Sequence, residues 1–212
     1  MRWYDDIFAL QGIPVGVEDG LWTALGPPPP WHSAAKTLEP GVDVDRVARA
    51  VAGSARCAVA DSFADLALAP YGFEMLVDAT WLHREPVGTA ASTLPEGWSV
   101  VEDVDDLAQW STAHDYEGVL PPAVLQHPRF RVLGCRRDGR LVGGAVAHDG
   151  GGAVGLSNTW GLGRATESDD VVRAVSALHP GRAVTDYAEG DERDAMVAAG
   201  FTPVGPHRVW IR

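Results

Sequence analysis

Lysine occurs once in this chain, at Lys36, and Lys and Arg together number 17 against 29 Asp and Glu, for a net charge of −12. Phosphate backbones are held by clustered cations, so no nucleic-acid partner is expected. Cysteine is almost as scarce. Cys57 and Cys135 lie far apart, each inside an apolar run. Without a Cys-x-x-Cys, His-rich or His-x-x-x-His spacing, neither redox work nor a metal is expected, and both thiols read as buried and reduced. No apolar run approaches the roughly 18 residues of a membrane helix. Met1 to Asp6 also lacks the basic start and apolar core of a signal peptide. No membrane partner is expected, and the expected location is cytoplasmic. Ser157 stands in Gly155-Leu156-Ser157-Asn158-Thr159, which lacks the second glycine of a nucleophile elbow and argues against a hydrolase.

What is present points to a folded protein: 46% apolar residues and eight Trp. The acidic groups Glu102-Asp103 with Asp105-Asp106, Asp169-Asp170, and Asp191-Glu192 with Asp194 read mostly as solvated helix starts. A repeat runs through the chain. Ala58-Val59-Ala60-Asp61 leads to Tyr71-Gly72-Phe73 and Trp81-Leu82, while Ala183-Val184-Thr185-Asp186 leads to Ala199-Gly200-Phe201 and Trp210-Ile211. Each copy reads as a buried strand ending in Asp, a helical stretch, a Gly-Phe corner and a strand closed by a core Trp.

Ile13 to Leu25 reads as a hairpin turning at Glu18-Asp19-Gly20. Pro27 to Pro30 lack N–H donors and form a stiff connector. Asp43 caps a helix whose Val44, Val47, Ala48 and Val51 share one face. Residues 89–96 are a small, polar linker between 1–88 and 97–212. Past it, Trp98-Ser99-Val100-Val101 is a strand and Asp103 opens a helix through Leu107 and Trp110. Asp138-Gly139 turns a hairpin whose second strand carries Gly143-Gly144, a sign of close packing. Thr166 with Asp169 resembles a capping box, which predicts a helix starting near Thr166 or Ser168.

The order from residue 97 onward, with Arg136-Arg137-Asp138-Gly139-Arg140-Leu141-Val142-Gly143-Gly144 and Ala198-Ala199-Gly200-Phe201, resembles the GNAT superfamily of acyl-CoA-dependent N-acyltransferases. The resemblance implies an α+β fold, with a mixed, mostly antiparallel sheet flanked by helices. The first part, 1–88, resembles the later part of the same fold in truncated form, so the chain reads as two related units in tandem. Exposed strand edges would be covered by cross-unit or homodimer pairing.

The resemblance also implies a site. The pantetheine arm of acetyl-CoA, as co-substrate, would lie along Leu156, Ser157 and Asn158, and the loop with Gly161, Gly163 and Arg164 would hold the pyrophosphate. The loop keeps both glycines of the family pattern, but Asn158 replaces its Gln/Arg, and Asp169-Asp170 in the first turn of the next helix would repel a phosphate. The family's proton-donating Tyr, four residues before the Gly-Phe glycine, is here Met196, and Leu68 in the first copy. Tyr187 is the nearest alternative donor, and Glu189 or Asp186 could deprotonate the amine. Asp186 matches Asp61, which fits a retained site or a repeated structural cap. His114, Asp115, Tyr116 and Glu117 fall where substrate loops belong, and equally fit an exposed helix end. The expected activity is acyl transfer to an amine of a small molecule. The alternative is a non-catalytic binding or regulatory module that has lost CoA.

Overall fold

The computed structural model describes residues 2–54, 56–86, 93–161 and 165–212. In chain order its elements are α1 (Arg2–Leu10), β1 (Val15–Glu18), β2 (Leu21–Ala24), β3 (Ala35–Thr37), α2 (Val44–Ala50), β4 (Ala58–Asp61) and β5 (Glu74–Arg84). There follow β6 (Trp98–Val100), α3 (Val104–Ala113), β7 (Phe130–Arg137), β8 (Arg140–Asp149), β9 (Val154–Trp160), α4 (Ala165–Leu178), β10 (Val184–Ala188), α5 (Gly190–Ala198) and β11 (Thr202–Ile211). The chain divides into two compact units, Met1–Trp81 with Gly205–Arg212, and Leu82–Val204. The implied class holds: helices and a mixed, mostly antiparallel sheet.

In the first unit β1 and β2 form the expected hairpin, with Asp19 at φ 43° and Gly20 at φ 75°, the pair of left-handed residues that a two-residue turn requires. β2 pairs antiparallel with β3, and β3 runs parallel to β4 through Ala35↔Val59 and Lys36↔Ala60. The last residues of the chain return to this unit, β11 pairing antiparallel with β4 through Val59↔Trp210. Asp43 accepts the Asp45 N–H at 2.9 Å and so starts α2, which buries Val47 against Val59, Leu68, Phe73 and Trp210. Helix α1, which the periodicity reading passed over, buries Ile7 and Phe8, with the Phe8 ring edge-on to Trp22 at 4.9 Å.

In the second unit β6, β7, β8 and β9 are successive antiparallel neighbours, and β9 pairs parallel with β10. The β7–β8 turn uses Asp138 at φ 49° and Gly139 at φ 75°. Asp103 caps α3 by accepting the Asp106 N–H at 2.8 Å, while the Asp106 carboxylate pairs with Arg136 at 2.6 Å. Val171, Val172 and Val175 of α4 pack on Val154, Leu156 and Val184. Cys57 and Cys135 are buried, and neither is in a disulfide.

The repeat is real but differs in two respects from its reading in sequence. The first copy contains only a 3-10 turn, Ala69–Tyr71, where the second has α5. The two Trp are not equivalent. β5 and β11 share one burial pattern, with Leu82 in the place of Trp210. Leu82 follows Gly72 by ten residues and Trp210 follows Gly200 by ten, whereas Trp81 follows by nine. Side chains alternate along a strand, so that one residue puts Trp81 on the opposite face.

Candidate active site

The second unit opens where β9 and β10 part. Their parallel ladder covers only Val184↔Val154 and Thr185↔Gly155, although β9 continues to Trp160 and β10 to Ala188. β9 is also irregular against β8. The register shifts between Gly144↔Trp160 and Val146↔Ser157, and Asn158 within this bulge has φ 53°. A bulge twists the strand and re-aims its backbone groups. Leu156 is anchored in the core opposite Ala147, Asn158 Nδ2 donates to Ser157 Oγ at 3.1 Å, and Thr159 Oγ1 donates to Glu192 Oε1 of α5 at 3.1 Å.

Gly161 has φ 68°, and a Cβ there would collide with the Val142 carbonyl of β8. Its lack of a side chain is thus required by strand packing alone. Gly163 and Arg164 lie outside the described residues. The helix after this loop begins at Ala165, earlier than the capping signal suggested. Thr166 and Asp169 are therefore both inside α4, and Asp169 and Asp170 belong to its second turn, so the objection that they face a bound phosphate from the first turn falls away.

The three acid–base candidates do not share one face. Asp186 is 8% exposed, whereas Tyr187 is 42% exposed and Glu189 is exposed at the N-cap of α5, making no capping bond. Asp186 Oδ1 accepts the Tyr187 N–H at 2.7 Å. Burial, reinforced by Glu192, pushes the Asp186 carboxyl well above the ordinary carboxylate range, and the N–H only partly opposes this. Its counterpart Asp61 is fully occupied with structure. It accepts from the N–H groups of Asp65 and Leu66 at 3.3 and 3.0 Å and from Trp210 Nε1 at 3.4 Å. Met196 is buried in the core.

Of the four substrate-loop residues, His114 contacts β9 and Tyr116 contacts His114 and Trp110. His114, the C-cap of α3, stacks on Trp160 with centroids 5.7 Å apart, and Tyr116 lies 4.8 Å from His114. Burial holds the His114 imidazole below its usual range, favouring the neutral ring. Asp115 and Glu117 are exposed. Trp110 and Trp160, which sequence reasoning did not single out for the site, complete this cluster at 5.9 Å from each other. Both indoles press against Gly144, where a Cβ would overlap Trp110 Nε1 and lie 2.7 Å from Trp160 Nε1. The spare Gly143-Gly144 pair was the available signal. Trp110 Nε1 donates to the Leu133 carbonyl at 2.8 Å, whereas Trp160 Nε1 is buried without a hydrogen-bond partner. A cavity of about 430 Å³ elsewhere in this unit, bordered by Glu102, His127 and Arg131, includes none of these residues.

Among the described residues, no group of three His, Cys, Asp or Glu is arranged to hold a metal, and no helix is long and apolar enough to cross a membrane. No family model and no curated protein matches the sequence. Solved structures do resemble it. A GCN5-related N-acetyltransferase from Kribbella flavida superposes with a TM-score of 0.65 at 16% identity, over 99% of this chain and 93% of that one. A GCN5-related N-acetyltransferase-like protein from Streptococcus suis gives 0.59 at 12% identity, over 99% and 94%. A tandem GNAT protein from the clavulanic acid biosynthesis pathway gives 0.50 at 16%, over 91% and 78%. These likenesses, which extend over nearly the whole chain, show that the chain has the GNAT fold.

Proposed function

We infer that the protein is an N-acyltransferase that moves an acyl group, most simply acetyl, from CoA to an amine of a small molecule. The observation that carries this reading is the parting of β9 from β10 after Gly155, beside the bulge at Asn158. Backbone groups of Leu156, Ser157 and Asn158 that have no ladder to β10 suit an extended, amide-bearing arm. The loop at Gly161, with Gly163 and Arg164, leads directly into α4, whose first N–H groups suit a pyrophosphate. In this scheme a β9 backbone N–H polarises the thioester carbonyl, and Glu189 accepts the proton of the attacking amine. Asp186, biased toward its protonated form, returns a proton to the departing thiolate, with Tyr187 as the alternative donor. His114 and Tyr116 border the acceptor side. We propose the tandem division with 1–88 as the truncated unit and 97–212 as the fuller one.

A second reading, a binding or regulatory module without catalysis, is favoured by one observation: the place of the family's donor Tyr is filled by buried Met196. Calorimetry with CoA and acetyl-CoA separates the two. Saturable binding followed by thiol release with an amine panel supports transfer, whereas no heat with either at millimolar concentration favours the module.

A further inference from the structure

The only lysine in the chain is placed in the first unit as a lysine rarely is. Lys36 lies on β3, the strand that runs parallel to β4 as β9 does to β10. Its Nζ sits 5.3 Å from the Tyr4 ring of α1 and 5.2 Å from the Trp81 ring of β5. Trp81 in turn packs at 4.5 Å on His207 of β11 and is fixed by its Nε1 bond to the Ser62 carbonyl at 2.9 Å. In a chain with 29 carboxylates, none within the described residues forms an ion pair with Lys36. Asp5, next in sequence to Tyr4, accepts from Trp22 Nε1 at 2.9 Å, and Asp78, on the same strand as Trp81, pairs with Arg208 at 2.9 Å. The ionisable groups beside it are Tyr4, which in turn contacts His32 at 5.6 Å, and His207, all buried or half-buried. Cation–π contacts hold the head group, but no carboxylate among the described residues pairs with its charge.

We propose that Lys36 is an acylation site, its amine being modified by acyl thioesters. The Nζ lone pair adds to the thioester carbonyl carbon, a C–N bond forms as the C–S bond breaks, and the thiolate leaves with the proton that Nζ gives up. Burial lowers the Lys36 pKa to about 8, so about a quarter of the amines are neutral at pH 7.5, against about one in a thousand for an ordinary lysine. Lys36 as a whole residue keeps partial exposure, although its head group is buried. Acylation removes the charge that helps to hold His207 in its neutral form.

The test needs no CoA site. The full chain is incubated at pH 7.5 with a small acetyl thioester lacking the nucleotide, folded and in urea, and modification is mapped by mass spectrometry. With one lysine the readout is a single missed tryptic cleavage at Lys36. Faster modification of the folded chain, by about fivefold or more, with a rate whose rise has its midpoint around pH 8 and levels off about one unit above it, and which is absent in Lys36→Arg, is the expected result. Slower modification of the folded chain than of the unfolded one, or modification confined to the amino terminus, overturns the proposal whatever acetyl-CoA does at β9.

Discussion

At the scale of single residues, four buried polar groups make distinct demands. Asp186 is held well above its ordinary range, so the unfolded chain releases its proton first. Stability is therefore lost as pH rises from about 4 through the folded-state value, and Asp186→Asn should gain on the native protein across that window. Urea unfolding at pH 4 and pH 8 checks this, and the same substitution should lower any acyl transfer if Asp186 is the proton donor. His207 runs the other way. Its burial and the Lys36 charge lower the pKa to about 4, so the folded state refuses a proton that the unfolded chain accepts. Stability is kept above pH 6.5 and lost toward pH 4, by on the order of 3 kcal/mol, and His207→Gln should flatten that dependence in acid unfolding curves. The two indoles at Gly144 offer a third contrast. Trp110→Phe strands the Leu133 carbonyl and should cost about 1–3 kcal/mol, whereas Trp160→Phe removes a donor that has no acceptor and should cost less. Thermal unfolding of both variants tells them apart.

Among the elements, β9 with its following loop has the strongest constraints. Gly161 combines a left-handed backbone with contact on the β8 carbonyl of Val142. Gly161→Ala should therefore lower stability by about 1–3 kcal/mol even without ligand, as read by chemical denaturation. Loss of CoA binding in that variant would consequently report on fold as well as on site. Helix α4 shows why boundaries were the least legible part of this region. Thr166 and Asp169 have the residue types of a cap, but Val171, Val172 and Val175 pull the whole helix onto Val154, Leu156 and Val184, and its start moves back to Ala165. Asp43 and Asp103, next to exposed turns, cap their helices as read.

For the whole molecule, the last eight residues complete the first unit rather than the second. β11 is the antiparallel partner of β4, and Trp210 contributes to the core around Val47, Leu68 and Phe73. Deleting Gly205–Arg212 should therefore strip amide protection from Ala58–Asp61 in hydrogen exchange, while β7 and β8 keep theirs.

Local chemistry, as written in the sequence, determined the hairpins at Asp19-Gly20 and Asp138-Gly139, the caps, the Gly-Phe corners and the order that resembles the GNAT fold. Each of these depends on neighbours a few residues away, through positive φ, a capped N–H or an alternating face. Tertiary structure alone decided the rest: which strand β11 joins, that Trp81 faces Lys36 while Leu82 takes the place of Trp210, that Asp61 is consumed by a loop while its counterpart stays short of partners, and that Trp160 reaches His114 across Gly144. These outcomes turn on burial and on contacts between residues as far apart in the chain as Ala58 and Ile211, whose desolvation and packing cannot be read from any single stretch of chain.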